Sequence, residues 1–121
     1  INPATSTILV PSVTSGPDMV TALAAGGEHT CLMDNPYVQC FGRGDSGQRG
    51  TGLFTSNHVP VNVVKVNTTF RSDILGLGVN HSSMEDQWSS PTRPFKTWGL
   101  NSTGQLADGS TTNSAVPVDI P

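Results

Sequence analysis

Charge is scarce in this sequence: Asp, Glu, Lys and Arg make up 12% of it, beside 13 Gly and 9 Pro in 121 residues. Helices in water solvate themselves with Lys, Glu and Arg at i,i+4 spacing, so the scarcity argues against a helical bundle. It suits an all-β, turn-rich chain. Long apolar runs are lacking as well, and none approaches the roughly 18 residues of a membrane-spanning helix. Positive charge is sparse and scattered (Arg43, Arg49, Lys65, Arg71, Arg93, Lys96), with a formal net charge of −3. No basic stripe exists to grip phosphates, which argues against nucleic-acid binding. The chain begins at Ile1 with no Met and no signal peptide, as expected of a processed or excerpted product.

What is there falls into three stretches. Residues 1–18 are rich in Ser, Thr and Pro and read as an extended segment or edge strand, since Pro3, Pro11 and Pro17 exclude a helix. Thr7-Ile-Leu-Val10 within it is strand-like and suited to adding onto a neighbouring sheet. Residues 19–66 form a first unit of short apolar runs broken by glycines, with a hairpin turning at Asp34-Asn-Pro-Tyr37. Residues 67–121 form a second unit.

The second unit repeats the first. Phe41-Gly-Arg-Gly-Asp-Ser-Gly-Gln-Arg-Gly-Thr-Gly52 returns as Trp98-Gly-Leu-Asn-Ser-Thr-Gly-Gln-Leu-Ala-Asp-Gly109, and the same offset carries Val59-Pro60-Val61 onto Val116-Pro117-Val118. Upstream, Ala25-Gly26-Gly27-Glu28-His29 matches Leu77-Gly78-Val79-Asn80-His81 at a slightly shorter offset. The difference falls in a longer second hairpin, Glu85 to Phe95. Several short strands in a unit of this length are the mark of propeller blades. These three elements, in order and twice, resemble the regulator of chromosome condensation repeat over most of the chain. The resemblance implies an all-β fold of four-stranded blades, seven to a closed ring, so about two blades of an open, incomplete propeller here. The family includes a chromatin-bound exchange factor for a small GTPase, secreted β-lactamase inhibitors and plant receptor ectodomains, so it implies fold more firmly than function.

Each repeat position has a physical job. Gly42, Gly47, Gly99 and Gly104 fall where the chain changes strands and needs positive φ or close approach. Phe41 and Trp98 are expected to anchor the blades, and Gln48 and Gln105 to hydrogen-bond exposed backbone at the turns between them. Arg49 and Ala107 depart from the apolar and glycine residues of the pattern, which predicts looser turns. His29 and His81 share one repeat position, expected to hold a turn by side-chain to backbone hydrogen bonds.

Chemistry is harder to find. Gly44-Asp45-Ser46-Gly47 resembles a serine-protease nucleophile segment, but His29 is too near in sequence, the chain too short, and both segments are repeat positions. No catalytic residue, metal set or cofactor is expected. Arg43-Gly44-Asp45 is an integrin-type tripeptide at a variable blade turn, read as a turn. Cys31 and Cys40 face each other across the predicted hairpin and are expected to form a disulfide, which implies an oxidising compartment. The sequons Asn67-Thr-Thr, Asn80-His-Ser and Asn101-Ser-Thr are glycosylation candidates, with Asn67 first because it follows a strand end.

The sequence therefore predicts a non-enzymatic, extracellular or secreted structural or protein-interaction module, part of a larger assembly or filament. Two open apolar blade faces would be covered by further repeats or copies of itself. Trp88, Phe95 and Tyr37 are the candidate partner contacts. The rival readings are a regulatory propeller, acting in nucleotide exchange or enzyme inhibition through its loops, and a glycan-binding propeller.

Overall fold

The computed structural model describes residues 20–34, 37–66, 74–86 and 95–120. Trp88, Asn67 and the segment 1–18 with its Thr7–Val10 stretch lie outside them. The described residues fold into two four-stranded antiparallel sheets with strand orders β1-β2-β3-β4 and β5-β6-β7-β8. The first holds β1 Val20–Ala25, β2 His29–Asp34, β3 Tyr37–Gly42 and β4 Asn57–Asn62. The second holds β5 Leu75–Leu77, β6 His81–Glu85, β7 Phe95–Gly99 and β8 Ser114–Asp119. Strands follow one another in space as in sequence, which is how a propeller blade is laid down.

Local chemistry sets the turns. Between β1 and β2, Gly26 N donates to the His29 carbonyl at 2.7 Å, and between β5 and β6 Gly78 N does the same to His81 at 2.9 Å. The histidine ring lies where a Cβ on that glycine would stand, in both repeats. Gly-x-x-His is thus a steric pairing: the ring needs the missing side chain. The turn itself is closed by the histidine backbone, not by its side chain as expected.

The β2–β3 hairpin pairs Met33 with Val38, Leu32 with Gln39 and Cys31 with Cys40. A disulfide joins Cys31 and Cys40, whose Cα atoms stand 4.1 Å apart. The outer strands β4 and β8 carry Pro60 and Pro117, which cannot extend a ladder and so blunt those edges.

The core lies between the blades. Cys31, Met33, Val38, Cys40 and Val63 of the first meet Met84 and Trp98 of the second, with Ala22, Val66, Leu75 and Leu77 packed around them. Burying such a side chain contributes about 1.5–3 kcal/mol, so this seam dominates the stability of the pair. The expected symmetry of anchors fails. Trp98 is completely buried in the seam, whereas Phe41 is only half-buried, because β3 turns it away from the second blade.

The second blade also corrects the expectation of two apolar open faces. On its side away from the seam, Ser83 pairs with Thr97 and Glu85 with Phe95. These occupy the register of the apolar pairs Cys31–Cys40 and Met33–Val38. That face is mixed, with Ser83, Glu85 and Thr97 beside Phe95 and Val118. Among the described residues, the first blade's inner strand shows two exposed aliphatics, Val20 and Leu23.

Candidate functional site: the loop across the blade seam

The residues that join the blades come from the β3–β4 connection, 43–56. Gly47, Gly50 and Gly52 adopt φ of 86°, 66° and 87°, and these left-handed steps coil the loop tightly enough to lay it on the next blade. A Cβ at Gly50 would stand 2.7 Å from Trp98 Nε1, so glycine is required there for the approach.

Gln48, fully buried, is the hub. Its carbonyl accepts from Trp98 Nε1 at 2.8 Å and from Ser82 Oγ at 2.9 Å. Its side-chain Oε1 accepts from Ser46 N at 2.8 Å, and its Nε2 donates to Asn80 Oδ1 at 3.2 Å. Gln105 repeats the local part, with Oε1 accepting from Thr103 N at 2.8 Å. The glutamines do bind turn backbone, but at Gln48 that backbone is part-buried and the residue spans two blades.

His29 completes the junction. Its Nε2 stands 2.9 Å from Ser82 Oγ. Because Ser82 gives its proton to the Gln48 carbonyl, Nε2 must carry the ring proton and donate. Nδ1 is left as a buried acceptor without a partner among the described residues. Burial holds the His29 pKa below its usual 6.5, with the His81 backbone opposing and the His81 ring adding to the depression.

The loop's outer limb is pinned rather than loose. Arg49 is buried and donates through Nη1 to the Thr55 carbonyl at 2.9 Å, and burial lowers its pKa. Gly44 N donates to Ser56 Oγ at 3.0 Å, and Gly52 N to Ala115 O of the second blade at 2.9 Å. Ala107 keeps the tight turn at φ 54°, taking up the strain that Gly50 avoids.

Between the pins at Gly52 and Thr55 stand Leu53, 61% exposed, and Phe54, 53% exposed. Repeat alignment puts Ser110 and Thr111 at these positions in the second unit. The fold therefore does not need bulky apolar residues here. Two adjacent apolar side chains held in water on a fixed loop are the kind of feature that anchors a protein partner. Neither residue stands out in the first unit taken alone. Comparing the two repeats position by position would have found them, since an apolar pair replaces hydroxyl residues.

The expected contacts lie elsewhere. Tyr37 and Phe95 are exposed, but they begin β3 and β7, at the opposite end of the strands from this loop. Arg43 and Asp45 bond each other through two contacts of 2.8 and 2.9 Å. Their pairing raises the Arg43 pKa and lowers that of Asp45. Closed on itself in this way, the tripeptide is a blade turn.

Of the sequons, Asn101 is ruled out as a glycan site in the folded chain. It is fully buried, and its Nδ2 donates to Ser110 O at 3.1 Å and Thr112 O at 3.0 Å while its Oδ1 accepts from Leu106 N at 2.9 Å. Asn80 is half-buried with its Oδ1 engaged by Gln48. Among the described residues no three His, Cys, Asp or Glu side chains cluster as a metal site.

Neither a protein-family profile nor any curated protein sequence matches the chain. Solved structures do. Prp20p from Saccharomyces cerevisiae, described with its binding to Gsp1p and histones, superposes with a TM-score of 0.72 at 19% identity over 90% of this chain and 27% of its own. Yeast RCC1 (Prp20) bound to Kap60 gives 0.73 at 19% identity, over 90% and 26%. Human WBSCR16 gives 0.63 at 20% identity, over 82% and 25%. The chain has the β-propeller fold of the regulator-of-chromosome-condensation type. Its described residues form two blades, and it spans about a quarter of the length of these structures.

Proposed function

We propose that this chain is a non-enzymatic, extracellular protein-interaction module whose contact site is Leu53 and Phe54 on the seam-crossing loop. The observation that carries the reading is their exposure on a loop pinned at both sides, where the second repeat carries Ser110 and Thr111. The disulfide supports an oxidising environment and so secretion. A glycan at Asn67 belongs to the same proposal, and enzymatic release in heavy-oxygen water would label that residue. Growth into a larger assembly extends it, since repeat units bury their faces only against neighbours.

A regulatory role through the loops is the second reading, favoured by the binding to Gsp1p and to Kap60 described for the yeast structures. Both readings place the contact on loops, whereas a glycan-binding propeller wants an aromatic at one position of each blade. The test is the double variant Leu53→Ser, Phe54→Thr, which installs the second repeat's residues. Affinity for the native partner should fall at least tenfold with an unchanged melting temperature. Unaltered affinity would remove this loop from the site.

A further inference from the structure

We propose that His29 is an acid-sensitive latch on the loop 43–56, holding Leu53 and Phe54 in place near neutral pH and freeing them in acid. This rests on the reading of those two residues as a contact and adds its regulation.

The latch joins three groups from three elements. His29 Nε2 on β2 donates to Ser82 Oγ on β6 at 2.9 Å, and Ser82 Oγ donates at 2.9 Å to the carbonyl of Gln48, inside the loop. The same carbonyl accepts from Trp98 Nε1 at 2.8 Å, so ring, loop and second blade share one junction. The other edge of the ring has no such support. Nδ1 has no partner among the described residues, and it packs on Gly26, where an added Cβ would stand 2.7 Å from it. A glycine carbon offers no acceptor to a second ring proton.

No counter-charge meets the ring either. On its own sheet β3 places Gly42 opposite His29, and β1 places Ala25 beside it. The loop contributes uncharged Gln48, and β6 contributes Ser82 and His81, whose ring adds like charge when protonated. Glu28, next in the chain, is turned to water with a side chain 71% exposed and lies 3.7 Å from Arg43. An imidazolium is therefore solvated only if the ring leaves the seam, and the Ser82 junction is lost with it.

The loop is built to yield at this point. Two of its buried polar atoms, Arg49 Nε and Thr51 Oγ1, lack partners among the described residues. Both regain water when the loop lifts, which offsets part of the bonds lost. The next pin, Gly52 N to Ala115 O at 2.9 Å, adjoins Leu53, so loosening passes directly to the contact residues. Met33, Val38, Met84 and Trp98 keep the blades together meanwhile, and the opening is local.

Amide exchange of the whole chain, followed by NMR without any partner, tests this. Lifting the loop frees a ring of ordinary pKa 6.5, so the Gly52 protection factor should fall by up to about tenfold between pH 7.5 and pH 5.5. The Gly104 amide, bonded to Asn101 O in the second loop, should keep its protection. His29→Gln retains an N–H for Ser82 and has no proton to gain, so its Gly52 protection should not change with pH. In the wild type the His29 ring should titrate below 6.5, at the pH where the fall at Gly52 levels off. Gly52 protection that is flat in the wild type, or that falls equally in His29→Gln, would overturn the proposal. So would an equal fall at Gly104, or a ring titrating at 6.5 or above. Because no partner is present, these outcomes are separate from whether Leu53 and Phe54 bind one.

Discussion

His29 of the first blade and Ser82 of the second meet across the seam, Nε2 to Oγ at 2.9 Å, and the same hydroxyl donates a hydrogen bond to the Gln48 carbonyl. One serine thus joins a strand, a loop and the next blade. The arrangement works only while the imidazole is neutral, since a proton on buried Nδ1 has no bonding partner among the described residues.

Acid should therefore loosen the seam. The folded pKa of His29 lies below 6.5, so below that pH the unfolded chain binds a proton that the folded chain refuses. The stabilisation is full above pH 6.5 and declines as pH falls from there through the lowered folded value. In urea unfolding at pH 7 and pH 5, His29→Gln should lose less stability between the two than the wild type does. At pH 7 it should cost about 1–2 kcal/mol. Equal slopes in both proteins would remove His29 as the sensor.

Reducing the Cys31–Cys40 bridge, or replacing it by the Ser and Thr of the second repeat, should cost about 2.5 kcal/mol through chain entropy alone. Cys31→Ser, Cys40→Thr also puts hydroxyls into the apolar cluster, so its loss should be larger. Non-reducing peptide maps should recover the two cysteines as one linked peptide, and two alkylated thiols would contradict this.

Ala107→Gly should raise stability by about 0.5–1 kcal/mol by relieving the φ of 54°. Gly50→Ala should do the opposite and more strongly, because its Cβ meets Trp98 and Val63. Thermal unfolding reads both.

Asp45→Glu should leave cell attachment unchanged, since Arg43 and Asp45 are engaged with each other. Loss of attachment on that single change would make the tripeptide an adhesion site.

Much of the fold was legible because backbone rules fix it. A four-residue turn sets the hairpin register, so Cys31 had to face Cys40. Glycines at matching places in two repeats mark left-handed steps that only they take cheaply. What escaped depends on which side of a blade has a neighbour. Phe41 and Trp98 share a repeat position, but Trp98 alone faces another blade. Asn101 reads as a sequon until its amide is seen to close the second loop. Leu53 and Phe54 stand out only when set against Ser110 and Thr111 of the second repeat, and the pinning by Gly52 and Arg49 holds them outward.

The proposed contact of this blade pair is with a protein, through the loop crossing its seam. The most direct measurement places a photo-crosslinking phenylalanine analogue at position 54, and in a second protein at position 111, its repeat equivalent. Irradiation in the protein's native medium should give a protein adduct from position 54 and none from 111. Adducts from both positions alike, or from neither, would contradict the account.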